Sequence, residues 1–199
     1  MLGGSSSHNG MVHVRGNAKD FDNWGQLGLT DWTYDKVLPY FKKSESVEGL
    51  DSNFRGESGP LKLSRSPNGN ILSQVYLNAA QQAGYQINND MNGERQEGFG
   101  LMDTTIFNGK RQSTSVTYLH PIKHRSNLEI LTNVTVNKIL FEDKKAVGVE
   151  CKANGENKKY FSSKEVLLSA GAINSPQLLM LSGIGPENEL SKYSIEPVE

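Results

Sequence analysis

The sequence predicts a mixed α/β (α+β) fold, and three observations carry that prediction. Apolar residues recur at helical spacing in two segments, around Val37–Phe41 and from Ile71 to Ala83. Residues 128–161 alternate apolar and polar positions in short runs separated by turn residues, as an antiparallel meander does. Finally, Val166-Leu167-Leu168, the small residues Ser169 to Ala172, and the apolar run ending at Gly183 read as a buried strand, a tight turn and a helix.

The chain begins with Leu2 to Gly16, LGGSSSHNGMVHVRG. Paired glycines, three serines and Asn9-Gly10 make a flexible loop rich in backbone donors, able to form a concave nest for a phosphate or a polar ring edge; a plain linker is the alternative. Met11 to Val14 then alternates like a strand. Asp20 to Trp24 suggests a short amphipathic helix, and Val37 to Glu45 a second, capped by Asp31 or Thr33. Trp24, Trp32 and Phe41 are expected to pack a core, with an aromatic substrate contact as the lesser alternative. Residues 49–69 carry Gly56, Gly59 and Pro60 and read as a polar, mobile surface loop with one short strand at Leu61 to Leu63.

The helix from Ile71 should end at Gly84, followed by a polar loop over residues 88–100. Leu101 to Phe107 alternates like a strand. Lys110 to Ser115 should open a helix at a Ser or Thr cap, running through Leu119. Arg111 there could meet a phosphate or be a solvated or ion-paired side chain, and His120 and His124 read as surface residues at a helix end. Strands are expected at Leu128–Leu131, Val134–Phe141, Ala146–Cys151 and Lys159–Phe161, with turns at Asp143-Lys144-Lys145 and Asn154-Gly155, and with Cys151 as a small buried residue. Ser175-Pro176 reads as an N-cap followed by proline in the first helical position, and Gly183 as a left-handed helix end. A small-residue turn at a helix N-terminus suits an anion; a structural crossover is the alternative.

The 199 residues suffice for one domain, or one domain and part of another. A net charge of −1 gives no footprint for nucleic acid or an anionic membrane surface, and no run of about 18 apolar residues spans a bilayer. A single cysteine excludes an internal disulfide and a cysteine metal cluster. Met1 is followed by neither a basic start nor an apolar core of a signal peptide, and localisation stays open, a secreted parent among the alternatives.

Two stretches resemble the signatures of the glucose-methanol-choline (GMC) oxidoreductases. Gly171, Ala172, Ser175, Pro176, Leu178, Leu179, Ser182, Gly183, Ile184 and Gly185 match the second signature without departure. Gly3, Gly4, Ser5, Ser6, Asn9 and Gly16 fit the first; His8 and His13 depart from it, standing where aliphatic and aromatic residues are usual. VHVRG and LPYFKKSE resemble the arthropod glucose-dehydrogenase-like group, and His8-Asn9 the choline-oxidase branch.

The resemblance implies an incomplete FAD-binding domain of the GMC type, with an antiparallel β-meander and part of the substrate domain. Residues 1–48 would be the flavin loop and following helices, 49–127 an insertion bordering the substrate domain, and 128–199 the meander and strand-turn-helix. It implies FAD as cofactor, held by Gly3, Gly4, Ser5, Ser6, His8, Asn9, Gly10, Met11 and Val12 along the flavin, by the backbone of Val136 at the adenine end, and by Ala170 and Gly171. In the choline-oxidase branch the histidine matching His8 carries the flavin covalently; simple packing or solvent exposure are the alternatives here. The implied partners are a small-molecule alcohol substrate and oxygen or a quinone as acceptor. The family's Gly-x-Gly-x-x-Gly fingerprint and catalytic histidine pair are absent from these residues, so the expectation is a fragment of an alcohol-oxidising enzyme with no catalytic residue of its own, or a non-catalytic flavin-binding remnant of one. An unrelated phosphate-binding α/β protein would need two coincidental signatures.

Overall fold

The computed structural model describes residues 1–65 and 70–198. The chain divides into two compact units, Met1–Leu128 and Glu129–Glu199.

In the first unit a 3₁₀ turn, Gly4–Ser7, leads into β1 (Val12–His13). Helix α1 (Ala18–Gln26) starts where the Asn17 side chain accepts the Lys19 N–H, an N-cap that satisfies one of the orphan donors of the first turn. Helix α2 (Tyr34–Ser44) follows a 3₁₀ turn, Thr30–Trp32, and buries Val37. Its first N–H, from Tyr34, is taken by Asp22 of α1 at 2.9 Å. Strand β2 (Glu45–Ser46) pairs in parallel with β3 (Leu61–Lys62). Strand β4 (Ser64–Arg65) and β1 flank β5 (Asp103–Thr104) in an antiparallel three-stranded sheet. Helix α3 (Ile71–Gln82) is capped by Asn70 and ends before Gly84, as its periodicity predicts.

Residues 49–65 depart from the surface loop expected of them. Val47, Leu63 and Arg55 are buried, and at Gly56 and Gly59 the backbone runs against that of Lys42 to Glu45 too closely to admit a Cβ. Polar composition misled because the loop folds onto a polar centre, described below. The end of the expected loop, residues 66–69, lies outside the described residues. Lys110-Arg111 also departs: it forms β7, paired with β6 (Ile106–Phe107) through Asn108-Gly109, both left-handed as a type I′ hairpin requires. Helical structure begins only at Ser115–Leu119, as one wide π turn.

The second unit is the expected meander with one helix. Strands β8 (Val134–Glu142), β9 (Lys145–Ala153) and β10 (Glu156–Phe161) are antiparallel, joined by Asp143-Lys144 and Asn154-Gly155, all four with positive φ. Helix α4 (Gly171–Leu181) packs on β8, and Ile139, Cys151, Ala153 and Leu178 are buried. At its end the Gly183 N–H reaches the Met180 carbonyl and the Ile184 N–H the Leu179 carbonyl, the paired bonds of a Schellman motif around a left-handed glycine. A short helix, α5 (Glu187–Leu190), buries Leu190 completely.

Three expectations fail here. Leu128–Leu131 pairs with no strand among the described residues, and Ile130 and Leu131 are exposed. Val166–Leu168 likewise forms no strand, and Leu167 is 81% exposed; without a neighbouring ladder, β-prone residues have nothing to bond. Helix α4 begins at Gly171 rather than after Ser175. The Ser175 hydroxyl accepts the Ala170 N–H at 3.1 Å, tying down the segment ahead of the helix, and Pro176 sits inside it.

Candidate flavin site and its supports

Residues 3–12 form a single shaped loop. Gly3 adopts φ +89, and a Cβ there would strike the Ser7 hydroxyl and approach Ser115. The Ser6 hydroxyl donates to the Gly3 carbonyl at 2.5 Å, the N–H groups of His8 and Asn9 both bond the Ser5 carbonyl, and the Asn9 side-chain oxygen accepts the Met11 N–H at 3.1 Å. Met11 is itself left-handed at φ 63. Val12 then enters β1 opposite Thr104, which anchors one end of the loop in a sheet.

Internal bonds leave some donors over. Among the described residues, the backbone N–H groups of Ser5 and Gly10 have no acceptor, and beyond Gly4 and Gly10 a Cβ would meet open space. Gly4, Ser5, His8, Asn9 and Gly10 are exposed, and the His8 ring makes no hydrogen bond among the described residues. Open backbone with unspent donors is what a planar ring with carbonyl and ring-nitrogen edges, or a phosphate, requires. The loop therefore fits a flavin nucleotide.

The loop is held from the far side by residues 111–115. Arg111 Nη1 donates to the Asn9 carbonyl at 2.8 Å, to Asn9 Oδ1 at 2.9 Å and to the Ser6 carbonyl at 3.2 Å. The Thr114 N–H donates to Ser6 Oγ at 2.9 Å. These bonds differ from the solvated or ion-paired arginine expected as the alternative at this position.

Beneath β1 lies a cluster that sequence reasoning missed. Glu45 is fully buried. Its carboxylate accepts from Arg15 at 2.7 Å, Arg55 at 2.8 Å, the Gly56 N–H at 3.0 Å and His13 Nε2 at 3.1 Å. Arg55, the largest fully buried side chain, also reaches Asp90 at 2.5 Å and Asp103 at 2.8 Å, and Arg65 approaches Asp103 at 3.4 Å. Asn92 closes the group: it accepts the Arg15 N–H at 2.7 Å and donates to the His13 carbonyl at 3.1 Å. Three acids thus face three guanidinium groups. Burial pushes the Glu45 carboxyl up, but the bonds from His13, Arg55 and Gly56 and the charge of Arg15 outweigh it, holding it at about 2 against an ordinary 4.5. Burial opposes the charge on Arg55 as well, yet Glu45, Asp103 and Asp90 raise its pKa further. The unusual histidine of the first signature, His13, is therefore a partner of this cluster. No pattern in the sequence separates Arg55 from a surface arginine; the signal exists only once residues 15, 45, 55, 90 and 103 meet.

Beside β1 the aromatic residues form an open cavity of about 760 Å³ rather than the closed core expected. Phe21, Trp24, Trp32 and Phe41 stack edge to face, with centroids 5.2 to 6.1 Å apart, but Trp24 is 43% and Trp32 52% exposed. The Arg15 guanidinium sits 5.2 Å over the Phe41 ring, joining the cavity wall to the ionic cluster.

In the second unit, Val136 is exposed on β8 at a register shift opposite Cys151, where the ladder is interrupted. Ala170 and Gly171, both exposed, head α4, where first-turn N–H groups lack helical partners. Gly171 is at φ +94 with open space beyond it. The first unit thus gathers Gly3 to Val12 in one loop, and the second carries Val136, Ala170 and Gly171.

Residues 1–196 match the family described as GMC oxidoreductase, and the chain belongs to that family. FAD is the cofactor that goes with this domain. The chain is 50% identical over 196 residues to the mitochondrial choline dehydrogenase of Homo sapiens, covering 98% of this chain and 33% of that protein. It is 46% identical over 198 residues to the oxygen-dependent choline dehydrogenase of Brucella anthropi, covering 100% of this chain and 36% of that one. Among solved structures, an FAD-dependent oxidoreductase from Chaetomium thermophilum superposes with a TM-score of 0.90 at 31% identity, over 97% of this chain and 36% of that one. The chain therefore spans about a third of the length of the relatives it matches.

Proposed function

We propose that this chain is the flavin-loop and meander portion of an FAD-dependent enzyme that oxidises the CH–OH group of a small alcohol to a carbonyl, with choline as substrate and oxygen or a quinone as electron acceptor. The observation that carries the reading is identity at half of all positions with a choline dehydrogenase over nearly the entire chain. Bound FAD supplies the redox chemistry by accepting the hydride from the alcohol carbon. The residues of this chain bind and orient. Gly3, Gly4, Ser5, Ser6, Asn9, Gly10, Met11 and Val12 offer backbone along the flavin, with His8 beside it. The Val136 backbone and the Ala170-Gly171 head of α4 serve the adenine and phosphate end, where a helix N-terminus favours an anion. The Glu45 cluster fixes β1, and with it the end of the loop. The base that takes the hydroxyl proton belongs to the rest of the longer protein, so residues 1–199 alone should not turn over.

The test is to purify the intact protein, supply choline, glucose and simple primary alcohols, and follow reduction of a dye and consumption of oxygen. Choline-dependent reduction is expected, with no turnover by residues 1–199 supplied with FAD. Absence of reduction above free flavin with every alcohol would overturn the reading.

A further inference from the structure

We propose that Arg111 is the positioning residue of the flavin loop, fixing the Ser6 and Asn9 carbonyls so that the N–H groups of Ser5 and Gly10, which have no acceptor among the described residues, stay available to the cofactor. The inference rests on reading residues 3–12 as the flavin cradle.

The loop cannot hold its own shape. Gly3, Gly4 and Met11 are in left-handed conformations, and the serine and glycine content leaves many backbone states accessible. The internal bonds turn N–H groups inward toward Gly3, Ser5 and Asn9 but leave the Ser6 and Asn9 carbonyls to be satisfied from outside. Arg111 satisfies both. It comes from β7, one arm of a two-residue hairpin, so its backbone is stiff where the loop's is soft. A single guanidinium nitrogen bridges positions 6 and 9, one on each side of His8, and also grips Asn9 Oδ1, the atom that shapes the turn into Met11. The bond from the Thr114 N–H to Ser6 Oγ adds a second tie from the same segment. No carboxylate pairs with Arg111 among the described residues, and the bonds its Nη1 makes go to the loop, to the Ser6 and Asn9 carbonyls and to Asn9 Oδ1.

The test uses the intact protein with R111A, R111K and K110A, the last a neighbour on the same hairpin. Two quantities are read: hydrogen exchange of the amides of residues 3–11 in cofactor-free protein, and FAD affinity from quenching of flavin fluorescence. R111A should speed exchange in the loop, and weaken FAD binding, by about tenfold or more, as the loss of charge-assisted bonds requires. R111K, which keeps the charge but not the fork, should recover part of both, while K110A changes neither. Wild-type loop exchange and FAD affinity in R111A would overturn the proposal. So would an equal loss of protection across residues 1–128, which would make Arg111 a general stabiliser. Failure of the wild-type protein to bind FAD would overturn the flavin reading itself, while loop exchange in R111A would still decide whether the clamp exists.

Discussion

Ser182 and Ile139 are joined through one hydroxyl that works in both directions. Ser182 Oγ accepts the Ile139 N–H at 2.8 Å and donates to the Leu178 carbonyl at 2.6 Å, with both residues buried. Ile139 is paired with Val149 of β9, and β8 is an edge strand of this sheet among the described residues, so the end of α4 takes an N–H on the strand's open side. Replacing Ser182 with alanine leaves a buried N–H without an acceptor and should lower the stability of the second unit by about 1–3 kcal/mol. Urea denaturation followed by circular dichroism reads the change; an unaltered midpoint would show that the hydroxyl is dispensable.

Acid should loosen the first unit through Glu45. The folded carboxyl, at about 2, lies below its ordinary 4.5, so the unfolded chain takes the proton first as pH falls. The contribution of Glu45 is whole above about pH 4.5, shrinks between 4.5 and 2, and is gone below; in full it amounts to about 3 kcal/mol. Melting temperature measured against pH should fall across that window.

Removing the Glu45 charge at neutral pH should be costlier. E45Q leaves the buried Arg15 and Arg55 short of their shared partner, a loss of about 3–5 kcal/mol. The same variant should also flatten the acid limb, because the group that titrates there is gone. A normal acid limb in E45Q would show that Glu45 is not the group behind the transition.

Gly183 and Gly171 offer a matched pair. Both are left-handed, at φ 91 and φ 94, but a Cβ at Gly183 would strike the Glu196 carbonyl whereas one at Gly171 meets open space. G171A should cost only the backbone strain of about 1–2 kcal/mol. G183A should cost more and should also release the residues around Val198, whose N–H bonds the Gly183 carbonyl at 2.8 Å. Equal losses in the two variants would leave the Glu196 contact without weight.

His8 should not carry the flavin covalently. Its ring is exposed and makes no hydrogen bond among the described residues, so none of them holds it in one orientation for bond formation. Acid denaturation of the intact holoenzyme should release all the flavin, leaving the peptide containing His8 at its unmodified mass. Retained yellow colour that H8A abolishes would reverse this conclusion.

Local signals in the sequence held well. Gly84 and Gly183 end the helices that the sequence predicts, and both turns of the meander fall at the Asp143 and Asn154 positions, while the Asn17 and Asn70 caps went unread. Asn108-Gly109 carried an equally good hairpin signal, overlooked beside the cap-like Ser113-Thr114 that follows. What could not be read was whatever depends on distant partners. Arg55 is buried because residues 45, 90 and 103 surround it, and Leu167 is exposed, with no strand paired to its segment among the described residues. The loop of residues 3–12 was legible as a loop through its glycines and serines, but its bonds to Arg111 were not, since Arg111 lies 102 residues from Asn9.

That separation also sets an order of events during synthesis. Ribosomes add about 5–20 residues per second, so the loop emerges roughly 5–20 seconds before the arginine that braces it. Through that interval the nascent segment has its serines and glycines but no outside partner for the Ser6 and Asn9 carbonyls. If Arg111 is the brace proposed above, the loop takes its final shape only after the β6–β7 hairpin is translated, and a chain stalled before residue 111 would carry the loop without that brace.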